Sequence, residues 1–356
     1  MQRLEQTLSR ILPLDSALAG RVQARLDSLT KPRGSLGRLE ELALRCALIT
    51  GQERPQVESK VLFVLCADHG VCDEGVSAYP REVTAQMVQN FLRGGAAITV
   101  LARQLGINIR VVDMGVAHDF DPHLPELIQH KIGRGTANLA RGPAMTREAA
   151  LRAVETGIAL AEEAVCEGAQ LLGVGEMGIG NSTTAAALLS AFSGISPEEL
   201  TGTGTGIDEG ARRKKVEVVH RALACNRPDP ADPLGVLASV GGYEIAGITG
   251  LCLAGVASRV PVVVDGFIAT AGAWAACALH PLVKDRLIFA HLSAEQGHSR
   301  VLAALQVKPL LDLDMRLGEG TGAALGMSLA ESAVRLFTEM ATFAEAGVTK
   351  SVHSVY

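Results

Sequence analysis

A chain of 356 residues is long for one domain and short for three, which predicts one large unit and a smaller elaboration. Hydrophobic residues make up 48% but aromatics only 3%, so the core must come from Ala, Leu, Val and Ile, and rings for stacking nucleic-acid bases are lacking. The net charge is −5 and no basic run exceeds Arg212–Lys215, which argues against a nucleic-acid partner.

Residues 1 to about 52 show helical, amphipathic spacing, with Leu4, Leu8, Ile11 and Leu12 on one stripe and Leu18, Val22 and Leu26 on another. The segment Lys31-Pro32-Arg33-Gly34-Ser35-Leu36-Gly37 interrupts it before a new helix from about Arg38. The first residues carry Arg3, Glu5 and Arg10 without an apolar core, unlike a signal peptide. Five short β-branched runs follow: Lys60–Cys66, Ile107–Asp113, Gln170–Val174, Val260–Val264 and Arg286–Phe289. Helical stretches separate them, and continuous apolar strands alternating with helices predict a doubly wound, mostly parallel α/β sheet with helices on both faces. The most apolar stretch, Ile245 to Leu279, is divided by Arg259, Pro261 and Asp265 into pieces too short to span a bilayer, which needs about 20 residues, and reads as buried core. Seven scattered cysteines, with no CxxC pair, suit a reducing cytoplasm.

The residues after each strand carry the chemistry. They are Ala67-Asp68-His69-Gly70, Asp113-Met114-Gly115, Gly175-Glu176-Met177-Gly178, Asp265-Gly266 and His291-Leu292-Ser293-Ala294-Glu295. Polar residues and glycines thus collect at one sheet edge, the edge where open α/β sheets bind ligands. Three loops run from glycines straight into a helix start: 173–189, 201–219 and 315–337. Asn181, Ser182 and Thr183 are expected as N-cap residues of the first. Glycine turns backbone N–H groups toward a ligand, and a helix N-terminus adds about half a positive charge, which suits phosphate. The loops are neither Walker A nor dinucleotide fingerprints, and no HExxH or DDxxD metal motif is present. Glu176 and Glu319 each sit between glycines before a helix, where the helix N-terminus is expected to lower the carboxyl pKa and keep a base ionised.

The segments KPRGSLGRLE (31–40), ADHGVCDEGVSAYPREVTAQMV (67–88), GRGTANLARGPAM (133–145), GVGEMGIGNSTTAAA (173–187), VGGYEIAGITG (240–250), VVVDGFIATAGA (262–273), HLSAEQGH (291–298) and MRLGEGTGAAL (315–325) stand in this order along nearly the whole chain. Together they closely resemble the nicotinate-nucleotide:dimethylbenzimidazole phosphoribosyltransferase (CobT) family. The resemblance implies transfer of phosphoribose from nicotinate mononucleotide to a benzimidazole, with inversion at the anomeric carbon, by a homodimer that needs no cofactor. It implies a small helical domain, residues 1–55 completed by about 330–356, beside a catalytic domain of 56–330. By position in the family motifs, Glu319 is the general base and Glu176 lies near the same site. Phosphate and nucleotide contacts are expected from Gly175, Gly178, Asn181, Ser182, Thr183, Gly204, Lys215, Ser293, Arg316, Gly318 and Gly320. The base is expected against Tyr79, Pro80, Met87, Met177 and Leu317. Some members carry Ser and Gln where this chain has Tyr79 and Met87, which bears on the base accepted.

The chemistry fits these residues. A pyridinium leaves as a neutral ring and needs no acid, while the incoming azole must lose one proton, so one carboxylate base suffices and a metal has no evident task. The alternatives are a nucleotide N-glycoside hydrolase using the same loops and a non-catalytic nucleotide-binding module.

Overall fold

The computed structural model describes residues 2–204 and 206–349. Six strands form one wholly parallel sheet: β1 (Lys60–Ala67), β2 (Asn108–Gly115), β3 (Leu127–Gln129), β4 (Leu171–Met177), β5 (Val262–Val264) and β6 (Leu287–Phe289). Their spatial order is β3-β2-β1-β4-β5-β6, so the order reverses between β1 and β4. A second, two-stranded parallel sheet pairs β7 (His291–Leu292) with β8 (Leu311–Asp312). All five strands expected from the apolar runs are present, whereas β3, β7 and β8 are short and only partly buried and leave no such run.

The alternation of side chains along β1 shows why both faces are apolar. Val61, Phe63, Leu65 and Ala67 join one buried cluster with residues of helices Arg147–Cys166, Tyr243–Ala257 and Phe267–Leu279. Leu62, Val64 and Cys66 join the other, with Leu18, Val22 and Leu26 of helix Ser16–Ser28, Leu42 and Ala43 of helix Arg38–Thr50, and Met327 and Ala330 of helix Thr321–Glu339. This is the doubly wound arrangement, with helices on both faces of a parallel sheet. Near the C-terminus, Arg25 donates from Nε to the Phe337 carbonyl at 3.1 Å and from Nη2 to that of Thr338 at 3.2 Å. Leu29 pairs with Thr342 in an isolated antiparallel bridge, which ties the second helix to the far end of the chain. Among the described residues no helix is long and apolar enough to cross a membrane.

The winding leaves the carboxyl ends of β1, β4 and β5 at one edge. The glycine loops and the two sequence-singled carboxylates gather there.

Candidate active site

Glu176 belongs to the strand and not to a loop. It pairs in register with Leu65 of β1, and β4 continues to Met177. The chain then turns through Gly178-Ile179-Gly180 into helix Asn181–Ser193. Its N-cap is Gly180, left-handed at φ 95°, with no capping side chain. This corrects the expected capping role of Asn181, Ser182 and Thr183. Asn181 instead turns back and donates from Nδ2 to Glu176 Oε2.

The loop before helix Thr321–Glu339 has three consecutive left-handed residues, Gly318 (φ 81°), Glu319 (φ 62°) and Gly320 (φ 87°). A non-glycine residue held there costs about 1–3 kcal/mol and marks sites over-determined by their surroundings. The fit is close on both sides. A Cβ on Gly175 would stand 2.4 Å from the Gly320 backbone, and one on Gly318 would stand 2.6 Å from Glu176 Oε1. Glycine at these positions lets the end of β4 and the Glu319 loop touch, bringing the two glutamates to one place. Both are buried, at 5% and 6% exposure, and Glu319 Oε2 has no hydrogen-bond partner.

A cavity of about 720 Å³ opens there. It is lined by the expected residues Tyr79, Met87, Glu176, Met177, Gly178, Asn181, Ser182, Gly204, Ser293, Arg316, Leu317, Gly318 and Glu319. Of the other expected residues, Gly175 and Gly320 pack behind the wall as a glycine pair. Thr183 is fully buried, and Pro80 is exposed beside Tyr79. Lys215 lies just behind the wall, with Nζ donating to Ser182 Oγ at 2.9 Å and to the Gly202 carbonyl at 3.4 Å. Its basic neighbours turn elsewhere: Arg212 pairs with Glu209, and Arg213 is exposed. The Gly204 amide faces inward, donating to both oxygens of Glu295 at 3.0 and 3.2 Å, and Arg316 Nη1 donates to the Gly204 carbonyl at 3.0 Å. His298 fixes the neighbouring turn, its Nδ1 accepting from the Ser293 amide at 2.8 Å.

Burial decides the electrostatics of the carboxylates. The Glu319 carboxyl is pushed up to about 7, first by burial and then by the negative Asp265. Glu176 is pushed well above the carboxylate range by burial, then by Asp265 and Glu244, against the opposing Asn181 hydrogen bond. The expected lowering by a helix N-terminus is therefore overturned: in a desolvated pocket shared by several carboxylates, burial outweighs the partial charge of the helix end. Lys215 moves the other way, down to about 8, because burial outweighs the attraction of Glu295.

Asp265, His291 and Glu295 also line the cavity and were not among the expected site residues. Asp265 and His291 are 1% exposed. A signal for all three existed, since Asp265-Gly266 and His291–Glu295 were among the polar segments gathered at the strand ends. It did not say which side chains turn inward.

A ligand cavity at the switch point of a doubly wound sheet, walled by glycine loops and buried carboxylates, defines an α/β enzyme acting on a small molecule. A family model described as phosphoribosyltransferase matches residues 11–348. A nicotinate-nucleotide–dimethylbenzimidazole phosphoribosyltransferase of Geobacter sulfurreducens is 58% identical over 350 residues, covering 98% of this chain and 99% of the relative. One from Roseiflexus sp. (strain RS-1) is 53% identical over 354 residues, covering 99% and 100%. The crystal structure of CobT from Thermus thermophilus superposes with a TM-score of 0.90 at 49% identity, covering 94% of this chain and 100% of that one. The chain belongs to the nicotinate-nucleotide–dimethylbenzimidazole phosphoribosyltransferase family and is a pentosyltransferase.

Proposed function

We propose that the enzyme transfers phosphoribose from nicotinate mononucleotide to 5,6-dimethylbenzimidazole or a related base. The products are α-ribazole 5′-phosphate, for the lower-ligand nucleotide loop of cobalamin, and nicotinate. The full-length relatives support the reaction. The observation on the molecule that carries the reading is the division of charge in the cavity. Ser182, Lys215 and Arg316 gather about the Gly202–Gly204 loop, where Glu295 is the one carboxylate among them, and the buried Glu176, Asp265 and Glu319 gather about the Gly318–Gly320 loop. A nucleotide with an anionic phosphate and a cationic pyridinium matches that division.

In this reading Glu319 takes the proton from one azole nitrogen as the other attacks the anomeric carbon. The pyridine nitrogen leaves with the bonding pair and needs no acid. Its unpartnered Oε2 and a carboxyl at about 7 suit a base that accepts a proton near neutral pH. Glu176, held by Asn181, sits against the same loop. The phosphate lies against Ser182, Ser293, Arg316 and the loops of Gly178 and Gly204, with Lys215 behind them as its counter-charge. The base lies against Tyr79, Met87, Met177 and Leu317, of which Tyr79 and Leu317 are more than half exposed at the mouth. Positioning two rings about one carbon supplies most of the acceleration.

We further read residues 1–55, closed by the segment from 330, as the smaller unit of the fold beside 56–330. The Leu29–Thr342 bridge and the Arg25 bonds to 337 and 338 support this; residues 350–356 lie outside the described residues. We read the active form as a cytoplasmic homodimer, the cytoplasm supported by seven free cysteines.

The test is product analysis from nicotinate mononucleotide with a panel of bases and with none. The expected result is α-ribazole 5′-phosphate with dimethylbenzimidazole and little nicotinate without a base. Ribose 5-phosphate formed at the same rate without a base would make it a hydrolase. Binding without turnover would overturn the enzymatic reading.

A further inference from the structure

Glu319 occupies a left-handed conformation between two left-handed glycines, directly before helix Thr321–Glu339. A helix usually satisfies its first amides with an N-cap side chain that accepts from N3, and in a capping box the N3 side chain returns to the N-cap amide. Neither is available here. The N-cap is Gly320, which has no side chain, and a Cβ there would stand 2.9 Å from Leu62 at φ 87°. The third helical residue is Ala323. Both bonds are made from elsewhere in the chain. Asp265, just past the end of β5, accepts from the Gly320 amide with Oδ2 at 3.1 Å and from the Ala323 amide with Oδ1 at 2.9 Å. A single distant carboxylate thus does the work of both halves of a capping box, and the first of the two amides it grips belongs to the residue after Glu319.

We propose that Asp265 is the positioning residue for Glu319: its carboxylate holds the Gly318–Gly320 loop in the one conformation that aims the Glu319 carboxylate into the cavity. The inference rests on the reading of Glu319 as the base. At the other glycine-capped helices of the site, Asn181–Ser193 and Phe267–Leu279, no carboxylate bridges the first amides in this way, so the clamp is not a general need of these loops. The ionisable groups facing Asp265 are Glu319 on the loop it holds, Glu176 from β4, and His291 from β7, whose Nε2 stands 3.6 Å from Asp265 Oδ1. Burial raises the Asp265 carboxyl above its ordinary value, against His291 and the donated amides, which favour its ionised form. A second role follows. A fixed negative charge beside Glu319 makes the base harder to ionise and so raises the pH at which it works.

Asp265→Asn keeps the shape, removes the charge, and turns an NH₂ toward one of the two amides. Expected are a fall in kcat of about 10²-fold from the misplaced base and less than about threefold change in KM for the nucleotide. The acid limb of the kcat/KM profile should move down by about one pH unit as the like charge is lost. Loss of kcat with the limb unmoved would reduce Asp265 to a structural residue and overturn the proposal, as would near-normal kcat. If the variant does not fold, amide exchange on the wild type decides. Protection at Gly320 and Ala323 that weakens in acid as Asp265 protonates supports the clamp; unprotected amides, or protection indifferent to pH, refute it. Glu319→Gln is measured alongside. If that variant keeps its turnover, the base assignment fails on its own, whatever Asp265 does.

Discussion

Glu319→Gln removes a proton acceptor and leaves the shape of the site, so it separates chemistry from binding. Turnover should fall by roughly 10²–10⁴-fold while nucleotide binding stays near normal, and Glu176→Gln should cost less. The structure adds two signatures. With the Glu319 carboxyl at about 7, wild-type kcat/KM should run at about one tenth of its plateau at pH 6 and about nine tenths at pH 8. The second is stability. A folded-state carboxyl held above its ordinary 4.5 binds its proton more tightly than the unfolded chain does, so this group's contribution to stability is full below 4.5 and is lost as pH rises through about 7. At 1.36 kcal/mol per pH unit the ionised form would cost about 3 kcal/mol, and water at the cavity mouth reduces this to about 2. The glutamine never ionises. It should therefore melt above wild type at pH 8 by about 2 kcal/mol of stability, with the gap closing toward pH 5. The assay is initial-rate formation of the base nucleotide from pH 5.5 to 8.5, paired with thermal melts over the same range. A variant that keeps its turnover, or a melting gap independent of pH, would refute the reasoning.

Four further outcomes follow. Gly175→Ala should lower both stability and kcat, because its Cβ would stand 2.4 Å from the Gly320 backbone and displace the Glu319 loop; a silent variant, by melting and initial rates, would contradict that contact. Lys215→Ala should raise KM for the nucleotide far more than KM for the base, and wild-type KM for the nucleotide should rise above pH 8 as the amine, held at about 8, loses its proton; equal effects on both substrates would count against a phosphate role. Activity should survive exhaustive chelation, since a departing pyridine needs no Lewis acid; loss with EDTA that Mg²⁺ or Zn²⁺ restores would show otherwise. Light scattering should give twice the 37.2 kDa chain mass, and a monomer at working concentration would rule out the dimer.

The sheet was legible in the sequence because its central strands are buried on both faces and read as unbroken apolar runs, such as Lys60–Ala67. The peripheral β3, β7 and β8 are only partly buried, so unlike the short but wholly buried β5 and β6 they leave no apolar run to read. At the site, Glu176 and Glu319 stood out because glycines flank them. Their protonation behaviour did not, since burial depends on what other segments bring. Asp265, some fifty residues before Glu319 along the chain, shows the limit most clearly. An aspartate after an apolar strand announces a ligand edge, but nothing local says that its oxygens reach the amides of Gly320 and Ala323.

That clustering of carboxylates has a consequence for the order of events. Glu176, Asp265 and Glu319 share one part of the cavity, while Arg316 turns to the Gly204 carbonyl and His291 Nε2 stands 3.6 Å from Asp265 Oδ1. Burial first, and then repulsion from neighbouring carboxylates, holds the carboxyls of Glu176 and Glu319 high. A pyridinium entering the cavity relieves the repulsion, and so does positive charge gathering at the anomeric carbon as the glycosidic bond lengthens. Once the bond breaks, the ring is neutral and the departing nicotinate bears only its own carboxylate. In the proposed reaction the positive charge that the pyridinium brought stays behind as the azole proton on Glu319. Release of nicotinate therefore leaves no unbalanced carboxylate in the cavity, and the protonated Glu319 must lose its proton before the next turnover.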